Sequence, residues 1–183
     1  MALYTGKGDN GTSKFFGEKD RHCKNDKRFW MLGGVDELNS WVGVCRSQAE
    51  KNKFDSLAIM LLNAQEKLFI IQAEIAARAE NLAIHPLKES AISELEEDID
   101  NLELEIGPIT KFSIAGGDPL SAMLDYGRAV CRRAEREIVG YAQDNVVSLA
   151  VLSYLNRLSS LLFAMARWVN KKSEIEEKNP KYS

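Results

Sequence analysis

Four charged side chains within residues 128–136 give this sequence its clearest capacity for binding chemistry. They stand at positions i, i+4, i+7 and i+8: Arg128, Arg132, Glu135 and Arg136. A helix would place all four on one face. Guanidinium groups on one face repel one another unless an anion lies between them, and their planar fork matches phosphate oxygens. The spacing predicts a triphosphate site or, equally well, a solvated basic face.

A polar stripe runs beside the apolar stripe of the first predicted helix. It consists of Asp36, Asn39, Gly43 and Arg46. A carboxylate among core residues needs a cationic partner, and Arg128 could provide it. Asp36 also stands where an acid in the first turn interacts favourably with the helix dipole, so a capping role is the alternative.

The N-terminal segment 6–13 reads G-K-G-D-N-G-T-S and so contains the pattern G-x-G-x-x-G. A dinucleotide fold is excluded because no strand precedes the segment and no βαβ unit surrounds it. The order G-K-[ST] of a P-loop is also missing. Backbone N–H groups and two hydroxyls in a flexible loop can still cradle phosphate, and a plain glycine-rich turn is the alternative.

Asn156 and Arg157 interrupt a segment that is otherwise apolar almost all round. An amide placed in a helical core must find hydrogen-bond partners. Asn156 is therefore predicted to be either a structural link between helices or a ligand contact.

The composition excludes several classes of function. The formal net charge of −3 leaves no basic footprint for nucleic acid. No uninterrupted apolar run reaches the ~18 residues of a membrane span, and residues 1–7 lack the apolar stretch of a signal peptide. We therefore expect no nucleic acid, no membrane, and a cytoplasmic protein.

Cysteine and histidine usage argues against a zinc site, a disulfide framework and a di-iron centre. Cys23, Cys45 and Cys131 form no C-x-x-C pair, which suits a reducing compartment. Neither His22 nor His85 has a glutamate three residues earlier, as a di-iron bundle requires.

Apolar periodicity predicts the elements that must position these groups. Helices are expected at about 34–51, 54–82, 88–105, 119–143 and 145–172, with no convincing strand. The predicted fold is all-α: a single five-helix bundle over 34–172 with an irregular N-terminal nucleotide-binding segment, 1–33. Residues 173–183 form a polar tail that we expect to fray.

Six ordered segments resemble the PduO-type ATP:cob(I)alamin adenosyltransferases. The family motif T-G-D-x-G-T-T-S-L-F-G-G resembles residues 7–18, and G-T-V-D-E-L-N-S resembles residues 33–40. I-Q-x-x-L-F resembles residues 64–69, and F-I-L-P-G-G resembles residues 112–117. R-x-V-C-R-R-A-E-R and Y-L-N-R-L-S are similar to residues 128–136 and 154–159, which match them in full. The likeness covers nearly the whole chain.

The resemblance implies an enzyme that moves the adenosyl group of ATP to the cobalt of cobalamin, with Mg²⁺ as a further cofactor. It implies a homotrimer with ATP between neighbouring subunits. The N-terminal segment of one subunit would contact the nucleotide through Thr5, Gly6, Gly8, Asp9, Gly11, Thr12, Ser13, Lys24 and Arg28. The next subunit would contribute Arg128, Arg132, Glu135 and Asn156.

The same resemblance implies a corrinoid site on an adjacent apolar surface. Phe112 would cover the lower axial face of cobalt, helped by an Asp36–Arg128 pair, and Arg132 would complete the catalytic set. A reductase and a B12-dependent acceptor enzyme are implied as further partners. Two alternatives stay open: a non-catalytic relative that delivers or senses corrinoid, and a helical interaction protein whose polar stripes are structural.

Overall fold

The computed structural model describes residues 3–15, 17–77 and 85–182. Within those ranges five long helices dominate: α1 (Lys27–Lys51), α2 (Asp55–Ala76), α3 (Ser90–Ile106), α4 (Pro119–Ala142) and α5 (Leu149–Lys172). Two short strands precede them, β1 (Thr12–Ser13) and β2 (His22–Cys23). The predicted all-α five-helix bundle is confirmed.

The helices pack in the spatial order α2, α1, α4, α5, α3. α1 lies between α2 and α4, and α5 lies between α4 and α3, so the core runs along both faces of α4. The fully buried side chains that fill it are mostly leucines, among them Leu38, Leu61, Leu68, Leu124, Leu155 and Leu158. This order exposes the outer faces of α2 and α3 and leaves one side of α1 and α4 open.

α5 is long and apolar enough to cross a membrane by length and composition, with a mean hydropathy of 1.4 over its most apolar window. However, 56% of that window is buried inside the bundle. Because α5 packs against both α4 and α3, its composition is that of a core helix.

α1 begins at Lys27, seven residues before the predicted start at 34, so the irregular segment is shorter than expected. Asp26 caps the helix by accepting a 2.8 Å hydrogen bond from the Arg28 N–H. Gly33 and Gly34 lower helix propensity by about 1 kcal/mol each and so hid this start in the sequence. Packing of the buried Met31 against the core overrides that weak local preference.

The other helix ends lie close to their predicted positions. α5 starts at Leu149, four residues later than expected, because the Ser148 side chain caps it by accepting a 3.2 Å bond from the Ala150 N–H. α2 ends at Ala76, and the rest of its predicted length lies largely in residues 78–84, outside the described residues.

A small antiparallel hairpin occurs where we predicted no strand. Thr12 pairs with Cys23, and Ser13 pairs with His22. Strands of two residues carry no alternating pattern, so periodicity could not predict them.

The prediction that the C-terminal tail frays was wrong for its described part, residues 173–182. The Ile114 N–H donates a 2.7 Å hydrogen bond to the Lys178 carbonyl. The Asn179 side-chain amide donates a 2.9 Å bond to the Phe112 carbonyl. The tail is therefore held against the loop that precedes α4.

Candidate functional site

The predicted phosphate-binding residues form the hairpin and the turns that lead into it. The Asp9 N–H donates to the Gly6 carbonyl at 3.2 Å, and the Gly11 N–H donates to the Gly8 carbonyl at 3.1 Å. The Lys24 N–H closes the hairpin by donating to the Gly11 carbonyl at 2.9 Å. The segment is thus folded into successive turns whose side chains are largely exposed, as are those of Thr5 and Asp9.

Two cations lie on this hairpin. A β-carbon added to Gly8 would lie 3.3 Å from Lys24 Nζ, so the ammonium group reaches over the glycine turn. Arg21 donates 2.7 Å hydrogen bonds to both the side-chain oxygen and the carbonyl oxygen of Thr12. Sequence reasoning proposed Lys24 and missed Arg21, whose position depends on the strand pairing.

The hairpin is anchored to α1 by a cluster around Arg28. The Arg28 guanidinium lies 3.5 Å from the centroid of the Phe15 ring and 2.6 Å from Glu18 Oε1. His22 Nε2 lies 2.6 Å from the second Glu18 oxygen. The hydrogen bond from Arg28 is the largest influence that lowers the pKa of Glu18. Arg28 is only 2% exposed, so the structure places it in the support of the hairpin rather than on its surface.

A cleft of about 690 Å³ opens between α4, α5, the end of α3 and the loop that follows it. Three predicted catalytic residues line this cleft together: Phe112, Arg128 and Arg132. Opposite them lie Ser159, Ser160 and Phe163 of α5. Phe112 is 78% exposed, so it does not plug the end of the bundle core. Apolar and cationic groups thus share one surface.

The loop carrying Phe112 is fixed at its C-terminal end by Asn170. The Asn170 side chain donates a 3.0 Å bond to the Gly116 carbonyl and accepts a 3.0 Å bond from the Asp118 N–H. Gly117 between them has φ +97°, a conformation that favours glycine. Asp118 then caps α4 by accepting a 2.8 Å bond from the Leu120 N–H. The sequence G-G-D-P is therefore a clamped turn into α4.

Asn156 of α5 contacts the arginine face of α4. Its amide donates a 3.2 Å hydrogen bond to Glu135 Oε1. Its side-chain oxygen accepts a 2.9 Å bond from Arg157, whose Nε donates a 2.8 Å bond to Glu96. Asn156 is thus a structural link beside Glu135, and its contact with a nucleotide stays a prediction.

The expectation that Asp36 is buried among core residues was wrong. Asp36 is exposed, and its carboxylate accepts a long 3.5 Å bond from Gln72 of α2. Within the described residues no carboxylate lies within 4 Å of Arg128. Asp36 faces outward because its position on α1 lies beside α2 and away from the α4 contact.

The rest of the polar stripe on α1 is structural. Gln65 of α2 donates a 3.2 Å bond to the Asn39 carbonyl and accepts a 2.9 Å bond from Arg46 Nε. The glutamine thus ties the two helices together, with Gly43 leaving room for it. Gln65 belongs to the motif at residues 64–69.

The buried acid with a cationic partner is Asp125, which sequence reasoning missed. Asp125 Oδ2 accepts a 2.6 Å bond from Arg167, and the two side chains are 7% and 3% exposed. Breaking such a pair strands a buried charge and costs about 3–5 kcal/mol. The available signal was Arg167, the one charged residue within the apolar run 161–170.

Known proteins resemble this chain in both sequence and fold. Residues 3–169 match the sequence profile of the family described as cobalamin adenosyltransferase. The corrinoid adenosyltransferase of Bacillus subtilis (strain 168) is 36% identical over 176 residues, covering 96% of this chain and 90% of that protein. The corrinoid adenosyltransferase of Citrobacter freundii is 36% identical over 180 residues, covering 97% and 96%.

A solved structure shares the fold at full length. It is a variant PduO-type ATP:corrinoid adenosyltransferase from Lactobacillus reuteri complexed with cobalamin and ATP. It superposes with a TM-score of 0.91 at 33% identity, covering 100% of this chain and 98% of that one. Sequence profile, relatives and fold agree over nearly all of the chain. The chain therefore belongs to the cobalamin adenosyltransferase family.

Proposed function

We propose that this protein transfers the 5′-deoxyadenosyl group of ATP to the cobalt of cob(I)alamin and releases triphosphate. One observation carries the proposal: the cleft that places the exposed Phe112 ring beside Arg128 and Arg132. A corrinoid requires an apolar surface and a triphosphate requires cations, and this cleft offers both side by side.

The bond changes balance without a proton transfer. The electron pair of cob(I)alamin attacks C5′ of ATP, the C5′–O bond breaks, and the triphosphate leaves with the bonding electrons. Negative charge therefore grows on the leaving oxygen, and side chains that bind it better in the transition state accelerate the step. We assign that role to Arg128 and Arg132, whose guanidinium forks suit phosphate oxygens.

The hairpin supplies the second half of the nucleotide site in this proposal. Lys24 and Arg21 give it two positive side chains. The nucleotide contacts are assigned to Thr5, Gly6, Gly8, Asp9, Gly11, Thr12, Ser13 and Lys24. Arg28 acts indirectly, because Glu18 and Phe15 already engage its guanidinium.

The two halves lie apart within one chain, which supports sites shared between subunits. The start of α1, just after the hairpin, lines a hollow together with Tyr141 and Asp144 at the end of α4. Arg132 and Arg128 precede Tyr141 by 9 and 13 residues, or roughly 14–20 Å along the helix axis. We propose that the hairpin of one subunit reaches the arginine face of the next, in a homotrimer.

An apolar surface on α2 supports this assembly. Ile59, Leu62 and Phe69 share one helix face by their spacing of three and seven residues, and they are 60%, 42% and 64% exposed. Trp30 of α1 is also 62% exposed. Exposed apolar side chains grouped in this way mark interaction surfaces, and a second copy of the chain is the occupant we propose.

The apolar wall around Phe112 has a redox role in the proposal. A bulky aromatic ring below the cobalt excludes the lower axial ligand, and the resulting four-coordinate cob(II)alamin accepts an electron more easily. Asp36 and Arg128 are separate within one chain, so we propose that they pair between neighbouring subunits. That pair would fix the edge of the corrinoid surface.

Mg²⁺ would enter with the triphosphate rather than occupy a dedicated protein site. Within the described residues no group of three or more His, Cys, Asp or Glu side chains could hold a metal ion. Magnesium bound to phosphates needs only one or two protein carboxylates, and Glu135 is the carboxylate on the arginine face. When bound, the ion would supply neutralisation of the leaving triphosphate.

The chemistry of the reaction indicates the partners and the cellular compartment that we propose. Formation of cob(I)alamin requires an electron donor, so we propose a reductase as partner, and a B12-dependent enzyme as acceptor of the product. Cys23, Cys45 and Cys131 are free thiols, which suits the reducing cytoplasm that we propose as the compartment.

A non-catalytic relative that carries corrinoid is the competing function. Turnover separates the two: a small amount of protein is mixed with excess Mg-ATP and chemically reduced cobalamin, and the spectrum is followed. An enzyme makes many adenosylcobalamin molecules per chain. A carrier makes one at most while still binding the corrinoid tightly.

A further inference from the structure

The C-terminal segment 173–182 holds the loop that carries Phe112 from one side. The Ile114 N–H donates to the Lys178 carbonyl at 2.7 Å, and Asn179 donates to the Phe112 carbonyl at 2.9 Å. These bonds lie on either side of Ser113. The backbone that directs the Phe112 ring is thus tied to the tail at two points.

Glu177 joins this tail to the rest of the protein. Its carboxylate accepts a 2.5 Å bond from the Ser113 hydroxyl and a 2.8 Å bond from the Asn170 amide. Glu177 Oε1 also forms an ion pair with Arg167, whose Nε lies 2.8 Å away. One side chain therefore connects the tail, the Phe112 loop and α5.

The α5 partners of Glu177 are fixed parts of the core. Arg167 and Asn170 are 3% and 2% exposed. Arg167 is held by its buried pair with Asp125, and Asn170 by its bonds to the 116–118 turn. A carboxylate bound to two such groups has little freedom, so the tail it belongs to is well placed.

Phe112 itself has no comparable support. Its side chain is 78% exposed, so packing does not fix the direction of the ring. The bonds at the Phe112 carbonyl and the Ile114 N–H instead fix the backbone from which the ring enters the cleft. Those bonds depend on the tail, and the tail depends on Glu177.

We propose that Glu177 is a positioning residue that orients Phe112 through the C-terminal segment. The inference rests on the proposed function, because orientation of Phe112 matters only if the ring covers the lower face of cobalt. Loss of the Glu177 contacts should disturb the corrinoid side of the site and leave the arginine face, held by α4, unchanged.

The test compares Glu177→Gln with Glu176→Gln, a matched change at the exposed neighbouring position. Glu177→Gln should lower turnover from cob(II)alamin by about tenfold, as expected for loss of a charged hydrogen bond, and should leave the KM for ATP unchanged. The fraction of four-coordinate cob(II)alamin in the bound spectrum should fall as well. Glu176→Gln should behave as the unaltered protein.

Phe112→Ala, measured in parallel, separates this inference from the proposed function. If Phe112→Ala loses the four-coordinate spectrum while Glu177→Gln keeps it, the positioning role is wrong and the proposed function stands. If the unaltered protein makes no adenosylcobalamin, the proposed function fails.

Hydrogen exchange of the ligand-free protein tests the positioning role independently of the proposed function. The Ile114 amide should exchange at least tenfold faster in Glu177→Gln than in Glu176→Gln, because its acceptor lies in the tail. Equal exchange would overturn the proposal. If Glu177→Gln does not fold, Ser113→Ala replaces it, since that change removes the bond between Glu177 and the Phe112 loop and keeps the bonds of Glu177 to α5.

Discussion

Gly117 lies so close to Asn170 that a β-carbon on the glycine would overlap the Asn170 side-chain oxygen. Gly117 belongs to the turn before α4, and Asn170 to the last turns of α5. This contact therefore fixes the end of the Phe112 loop relative to α4 and α5, the two helices that line the cleft.

Gly117→Ala should lower the free energy of unfolding by about 2–4 kcal/mol, because it adds this clash to the strain of a positive φ. Gly107→Ala is the matched control, since Gly107 has φ +82° but no atom within 4 Å of an added β-carbon. That change should cost only about 1–2 kcal/mol of backbone strain. Urea unfolding measures both, and equal losses would show that the Asn170 contact is unimportant.

Arg132→Ala should raise the KM for ATP by about tenfold or more while the fold survives, because a charged hydrogen bond contributes about 1.5–3 kcal/mol. Arg133→Ala is the control: it removes an exposed guanidinium of α4 that pairs with Glu37 and lies outside the lining of the cleft. Steady-state kinetics would test the assignment. Unchanged ATP kinetics together with lower thermal stability in Arg132→Ala would refute it.

The helical periodicity was sufficient to predict the fold, because five amphipathic segments with short connections have few packing solutions. The arginine face could also be predicted, because the residues of a helix such as α4 return to the same face every 3.6 positions. Contacts between residues that are distant in the sequence could not be predicted. The contacts Asp125–Arg167 and Gly117–Asn170 join residues more than 40 positions apart, and only the packing of α4 against α5 brings them together.

Residues at the edges of the bundle were harder to place. The hairpin depends on two pairs of residues and gives no periodic signal. The tail looked free because it is polar, yet its polar groups bind the loop before α4. Asp36 looked buried because it neighbours core residues in sequence, although it projects beside α2.

Mixing two inactive variants should restore activity if subunits share sites. A trimer that combines Lys24→Ala and Arg132→Ala chains contains one interface with an intact hairpin and an intact arginine face. Random exchange of equal amounts should return about a quarter of the original activity. A monomer in light scattering, or no recovery after exchange is confirmed by mass, would contradict the shared site.

Stability should decline on the alkaline side because buried thiols resist ionisation. Burial raises the pKa of Cys45 from 9.0 to about 12 and also raises the pKa of Cys131 and Tyr154. The stabilisation is complete below pH ~9 and is lost as the pH rises towards the folded-state pKa, because only the unfolded chain releases these protons.

Each such group contributes a slope of about 1.4 kcal/mol per pH unit to the free energy of unfolding. Cys45→Ala should reduce the slope between pH 9 and 11 by about that amount. Cys23→Ala, which alters an exposed thiol, should leave it unchanged. An identical slope in all three proteins would show that burial of Cys45 has no such effect.

In the proposed reaction the adenosyl carbon of ATP becomes bonded to cobalt and the triphosphate leaves as one unit. ATP labelled at the 5′ carbon, incubated with catalytic amounts of the protein, Mg²⁺ and reduced cobalamin, tests it directly. We expect labelled adenosylcobalamin and triphosphate in equal amounts, with many turnovers per chain. Unlabelled cobalamin, or release of only diphosphate and orthophosphate, would contradict the account.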